Sequence, residues 1–151
     1  KTGVSIYDLQ QLEQYLTVMM PQVIQLPLNP LNQTCIDIPA QLASHNIEYH
    51  ARSLFLQGVL LEPALPTWLA GAETPWQLYQ QQCQQYAPDP LASLLHWAGQ
   101  QDQIHEWVLG ISTPQEWQTL WHTMHALPSG HPPDFSTLDH HPLFDPRNWS
   151  H

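Results

Sequence analysis

Apolar positions along the chain switch between alternation and helical spacing, and each switch marks an element. Residues 4–7 form a short β-rich run. Leu9, Leu12, Leu16 and then Met19 or Met20 recur at helical spacing behind Asp8. Asp8 with Gln11 three residues on has the capping-box arrangement, and Pro21 is expected to stop the helix. Residues 22–26 predict a second strand, and 27–34 a Pro- and Asn-rich loop. Residues 38–45 predict a short helix weakened by Pro39, and 47–53 a third strand. The stretch 62–75 reads as a loop holding at most one short helix. Helices are expected over 76–86 and 91–101, separated by Pro88–Asp89–Pro90. Residues 104–111 predict a fourth strand. Thr113, Pro114 and Glu116 then give a cap, a first-turn proline and the acid that closes the box. Trp117, Leu120, Trp121, Met124 and Leu127 form the apolar stripe expected to bury this last helix.

The order βαβαβαβα implies parallel strands joined by right-handed helical crossovers. Four such units make a small open sheet or half of a TIM-type (β/α)8 barrel, because a complete barrel takes roughly 200 residues or more. The reading is an α/β fold of parallel (β/α) units. A four-unit half barrel is expected over 1–127, with an irregular Pro-, His- and Asp-rich tail over 128–151. A half barrel is also expected to leave two sheet edges and an apolar inner face unsatisfied. Self-association, or pairing with a missing N-terminal half, would follow.

Composition narrows the function classes. The 151 residues are 42% apolar, enough for one sizeable core. Thirteen Asp or Glu against three Lys or Arg give a formal charge of −10, which argues against nucleic acid and anionic membranes as partners. No apolar run approaches the roughly 20 residues of a membrane span, and no signal-peptide pattern opens the chain. Cys35 and Cys83 lie far apart, as expected for reduced thiols in a cytoplasmic protein. Lys1 is not preceded by Met and leads straight into a strand, so further residues are expected upstream.

In parallel α/β folds chemistry collects at the C-terminal ends of the strands. Those ends carry Ser5, Gln25, Arg52 with Ser53, and Gly110 with Ser112. The alternative for each is a turn or cap hydrogen bond. His122 and His125, with His140, His141, Asp134 and Asp139, are a second candidate, for a transition metal; their spacing matches no closed zinc pattern. His50 reads as a satisfied core histidine and Cys83 as a small apolar group.

The segments at these strand ends resemble aldo/keto reductases. Thr2–Gly3–Val4–Ser5–Ile6–Tyr7 looks like the family's fifth strand, and Val23–Ile24–Gln25–Leu26–Pro27–Leu28–Asn29 like the sixth. Ala51–Arg52–Ser53–Leu54–Phe55–Leu56–Gln57–Gly58 looks like the seventh and its exit loop. Trp107–Val108–Leu109–Gly110–Ile111–Ser112–Thr113–Pro114 looks like the eighth, and Asp145–Pro146–Arg147–Asn148–Trp149 resembles the end of one branch. The resemblance implies the C-terminal half of a barrel enzyme that binds a nicotinamide dinucleotide at its rim. It implies that Ser5 and Gln25 hold the carboxamide, with Ile6 where the family has Asn. Arg52 stands where many members stack a Tyr on the nicotinamide. Ser53 and the backbone of Phe55, Leu56, Gln57 and Gly58 would line the pyrophosphate path, and Gly110, Ser112 and Thr113 would lie near the adenosine. NADP is the family's cofactor. The basic residues that hold its 2′-phosphate are missing beside Gly110, where Glu116 stands, so NAD stays open as well.

The family's catalytic Asp, Tyr, Lys and His come from its first four strands, for which this chain has no counterpart. Neither Tyr7 nor Tyr49 is assigned that role. The leading expectation is the cofactor side of an NAD(P)H-dependent oxidoreductase acting on a carbonyl or alcohol, inactive as a single chain. The alternatives are a non-catalytic nicotinamide-binding or scaffold half barrel and a small His-rich metal-binding protein.

Overall fold

Asp8 starts the first helix as expected: its Oδ1 accepts from the Gln11 N–H at 2.9 Å, which satisfies one orphan donor of the first turn. In the computed structural model, which describes residues 1–138 and 140–149, four strands alternate with helices in chain order. They are β1 (Gly3–Ser5), α1 (Leu9–Leu16), β2 (Val23–Pro27), α2 (Ile38–Gln41), β3 (Glu48–Arg52), α3 (Glu73–Tyr86), α4 (Pro90–Gly99), β4 (Glu106–Val108) and α5 (Pro114–His125). The strands form one sheet in the order β1-β2-β3-β4, and every pairing is parallel. This is an open half barrel of four βα units.

Register divides the sheet into two faces. Val4, Ile24 and Tyr49 align across β1, β2 and β3, and Leu26 and Ala51 continue the same face. Ile24, Leu26, Tyr49 and Ala51 are buried in one cluster with Leu12, Trp76, Tyr79, Leu94 and Trp97 from the helices. Phe135 and Phe144 join that cluster from beyond α5. The Tyr79 hydroxyl donates to Leu60 O at 2.7 Å, which removes the cost of burying it.

The opposite face is open and polar. Ser5, Gln25, His50 and Glu106 align in one row across all four strands. Lys1 pairs with Glu48 at the N-terminal end of the strands, and His50 Nε2 lies 3.8 Å from the same carboxylate. An apolar inner face was expected; the inward face is mostly polar instead, with Val23, Pro27 and Val108 among its hydroxyl, amide, imidazole and charged groups.

Several boundaries also differ from the periodicity. Helix α1 ends at Leu16, well before Pro21, because the Thr17 hydroxyl donates to Gln14 O at 2.7 Å and Thr17 and Val18 are poor helix formers. Val18, Met19 and Met20 are left exposed. Residues 43–45 form a 3-10 turn rather than a continuation of α2, closed by Asn46 at φ 49°. Helix α3 starts at Glu73, inside the expected loop. β4 is short because, as an edge strand, it has a partner on one side only. On α5 only Leu120 of the predicted stripe is buried, while Trp117, Trp121 and Met124 are 49%, 48% and 48% exposed. None of the described residues covers the exposed part of this stripe. Among the described residues no helix is long and apolar enough to cross a membrane.

Candidate functional site

The loop leaving β3 is held in an unusual backbone. Ser53, Leu56, Gln57 and Gly58 lie at φ 66°, 46°, 55° and 91°. A non-glycine residue in this region costs about 1–2 kcal/mol, so other contacts must impose the shape. Leu54, Leu56, Val59 and Leu60 are buried anchors on either side. The Leu56 N–H donates to Ser53 O, and the Gly58 and Leu60 N–H groups both donate to Phe55 O. Asn29, itself buried, donates from Nδ2 to Ser53 O at 3.2 Å and fixes the start of the loop.

This loop forms one wall of an open groove of about 860 Å³. The other wall is the exit of β4 and the first turns of α5. Ser53, Phe55, Gln57, Gly58, Gly110 and Ser112 all line it. The Leu56 side chain and the Thr113 hydroxyl face elsewhere. Leu56 is fully buried because its left-handed backbone turns the side chain into the core, so only its main chain borders the loop. The Thr113 hydroxyl is taken up by accepting from the Glu116 N–H at 3.1 Å. Gly110 is open to the groove: a Cβ built there meets nothing within 4 Å.

Ser5 and Gln25 meet as a separate pair on the open face, where the Ser5 hydroxyl donates to Gln25 Oε1 at 3.2 Å. Arg52 connects this pair to the groove. Its Nη2 donates to Ile6 O at 3.1 Å and its Nη1 to Ser53 Oγ at 3.2 Å. Its guanidinium carbon sits 4.4 Å from the Tyr7 ring centroid. Arg52 therefore stacks on an aromatic group of its own chain.

Sequence reasoning missed Tyr7, Asp8 and Arg147 as a unit. Arg147 also lies over the Tyr7 ring, at 4.8 Å. It donates to Asp8 Oδ2 at 2.8 Å and to both oxygens of Asp145. The Arg147 hydrogen bond holds the Asp8 carboxyl below its ordinary range. Burial pushes Asp145 upward, but its bonds to Arg147 outweigh that and bring it down. Both carboxylates raise the Arg147 pKa further. A signal was available in the excess of thirteen acids over three basic residues, which favours carboxylate partners for Arg147, although Arg52 has none.

Other candidates are occupied by structure. Lys1 sits with Glu48 at the end of the strands away from the groove. The buried Tyr49 hydroxyl has no partner among the described residues, and burial raises its pKa, the wrong direction for a proton donor. Both thiols are buried, and burial pushes their pKa values up. Among the described residues no three His, Cys, Asp or Glu side chains converge to hold a metal ion; Asp139 lies outside those residues.

No family model and no curated protein matches the sequence. Solved structures match the fold. The holo form of aldo-keto reductase AKR11C1 from Bacillus halodurans superposes with a TM-score of 0.67 at 16% identity, over 85% of this chain and 45% of that one. Its apo form gives 0.67 at 15% identity, over 85% and 46%. This chain has the fold of half an aldo-keto reductase barrel. A glycerol dehydrogenase, AKR11B4 from Gluconobacter oxydans, aligns at 0.48 and 17% identity, over 89% of this chain and 52% of that one. The chain thus spans about half the length of the structures it matches. In this half barrel, the groove at the β3 and β4 exits lies on the rim where parallel α/β folds carry their sites.

Proposed function

We propose that this half barrel is the dinucleotide-binding side of an aldo-keto reductase-like, NAD(P)H-dependent oxidoreductase acting on a carbonyl or alcohol. The observation that carries the reading is the groove itself, which gathers Ser53, Phe55, Gln57, Gly58, Gly110 and Ser112 beside a left-handed turn. Such turns aim backbone N–H groups into one concavity and suit phosphate oxygens. Ser53 and the 55–58 backbone would hold the pyrophosphate, and Gly110 with Ser112 would border the adenosine. Ser5 and Gln25 would take the carboxamide, with Arg52 bracing the span between. The nicotinamide, when bound, supplies the hydride; this chain's residues bind and orient it.

We place the proton donor outside this chain, because Lys1 is at the opposite end of the strands and Tyr49 is buried in the helix-facing cluster. Complementary βα units are the proposed source. A non-catalytic nicotinamide-binding half barrel is the second reading, favoured by the same placement of Lys1.

Fluorescence titration of the chain with NADH tests the site. Binding is expected, with no carbonyl reduction by the chain alone. Gly110→Phe, whose ring would enter open groove space, should weaken binding about ten-fold or more. Unchanged affinity in that variant would reject the groove.

A further inference from the structure

We infer that the groove selects a dinucleotide whose adenosine ribose carries no 2′-phosphate, and that Glu116 makes the selection. This rests on the dinucleotide reading above and specifies its chemistry.

No Lys or Arg side chain lines the groove, and each is already engaged, Arg52 at the groove's edge and the other two away from it. Lys1 pairs with Glu48, Arg52 bonds Ile6 O and Ser53 Oγ, and Arg147 bonds Asp8 and Asp145. The groove lining holds no Lys, Arg or His, yet it holds both Glu62 and Glu116. A pyrophosphate would be met there by the Phe55 and Gln57 N–H groups, since those of Leu56 and Gly58 already bond within the loop. A second phosphate on the ribose would add about two negative charges and find no cation, only neutral polar groups and two carboxylates.

Glu116 is positioned by its own helix start. Its N–H is capped by Thr113 Oγ1, and its Oε2 accepts from the Ser112 N–H at 2.7 Å. That bond uses the positive end of α5, which would otherwise attract an anion. No hydrogen bond among the described residues reaches Oε1. A ribose hydroxyl can donate to it; a phosphate cannot, and is repelled. The formal charge of −10 opposes any added anion further.

Adenosine 5′-diphosphate and adenosine 2′,5′-bisphosphate, which carry the same number of phosphates, separate the possibilities when titrated into the chain by NMR. The 5′-diphosphate should shift the Gly110 and Ser112 amides with about ten-fold tighter binding than the 2′,5′ isomer. Equal or tighter binding of the 2′,5′ isomer overturns the inference and leaves the dinucleotide reading standing. Failure of both probes to move those amides overturns the dinucleotide reading and the inference with it. Glu116→Gln keeps an acceptor for Ser112 N–H and removes the charge, so the gap should narrow to about three-fold or less. A full gap in that variant, with native circular dichroism, removes Glu116 as the selector. The comparison in the unmodified chain decides selectivity whether or not the variant folds.

Discussion

Gly58 carries the sharpest conformational demand of the β3 exit loop. Its φ is 91°, and a Cβ there would meet nothing within 4 Å. Any cost of replacing it is therefore backbone strain rather than collision. Gly58→Ala should lose about 1–2 kcal/mol. Gly110→Ala, at an equally open position outside the left-handed region, should stay within about 0.5 kcal/mol of the parent. Urea unfolding of the two variants checks this, and identical midpoints would contradict the loop geometry. At this scale the strand ends were legible, because they follow directly from strand positions. Ser5 and Gln25 do meet, and six of the other residues assigned to the rim share one groove wall or the other. Side-chain orientations that depend on backbone handedness or on distant chain were not legible. Leu56 turns inward through a left-handed φ that no side-chain pattern announces. Arg52 stacks on Tyr7 in a setting completed by Arg147 from the far end of the chain.

Short turns at Pro142–Phe144 and Pro146–Asn148 bring the last described segment back to the start of α1. The clamp is Arg147 between Asp145 and Asp8, and Trp149 adds an edge contact to Trp68 at 4.6 Å. Both carboxylates have folded pKa values below their unfolded ones. Their contribution is therefore complete above the unfolded value of about 4 and is lost as pH falls below it. Arg147→Ala should lose about 1–2 kcal/mol at neutral pH, less than a fully buried pair would, because Arg147 is 44% exposed. It should also flatten the decline in stability below about pH 4. Denaturation midpoints across the acid range read both effects, and an equally steep decline in the variant would exclude the clamp as its cause. The element order and parallel sheet were legible because strands and helices differ in period. Helix ends were less so: the Thr17 side chain, not Pro21, closes α1. The uncovered stripe of α5 was invisible for another reason. Periodicity reports that a helix has an apolar face, not whether the same chain covers it.

That stripe bears on the whole molecule. β1 and β4 are the two edges of the sheet, each with one side unpaired. Trp117, Trp121 and Met124 are exposed on α5 beside β4, while Tyr15, Val18, Met19 and Met20 are exposed after β1. Trp117, Trp121 and His125 stack in a row along α5, at 5.8 and 4.2 Å between ring centroids. Covering the exposed half of each Trp gains about 2–3 kcal/mol, and edge pairing adds main-chain hydrogen bonds. The structures that share this fold are about twice as long as the chain, so four further βα units are the proposed natural cover. A second copy can serve only in part, because it presents the same polar inner face and brings its own charge of −10. Repulsion between two such copies weakens as salt shortens the Debye length to roughly 8 Å at physiological ionic strength. The isolated chain should therefore self-associate, and more strongly as salt rises. Trp117→Ser combined with Trp121→Ser should reduce association and leave the fold nearly as stable, since both rings are half exposed already. Light scattering across salt and concentration reads the outcome. A stable, monodisperse monomer at every salt concentration would mean that these apolar edges need no cover.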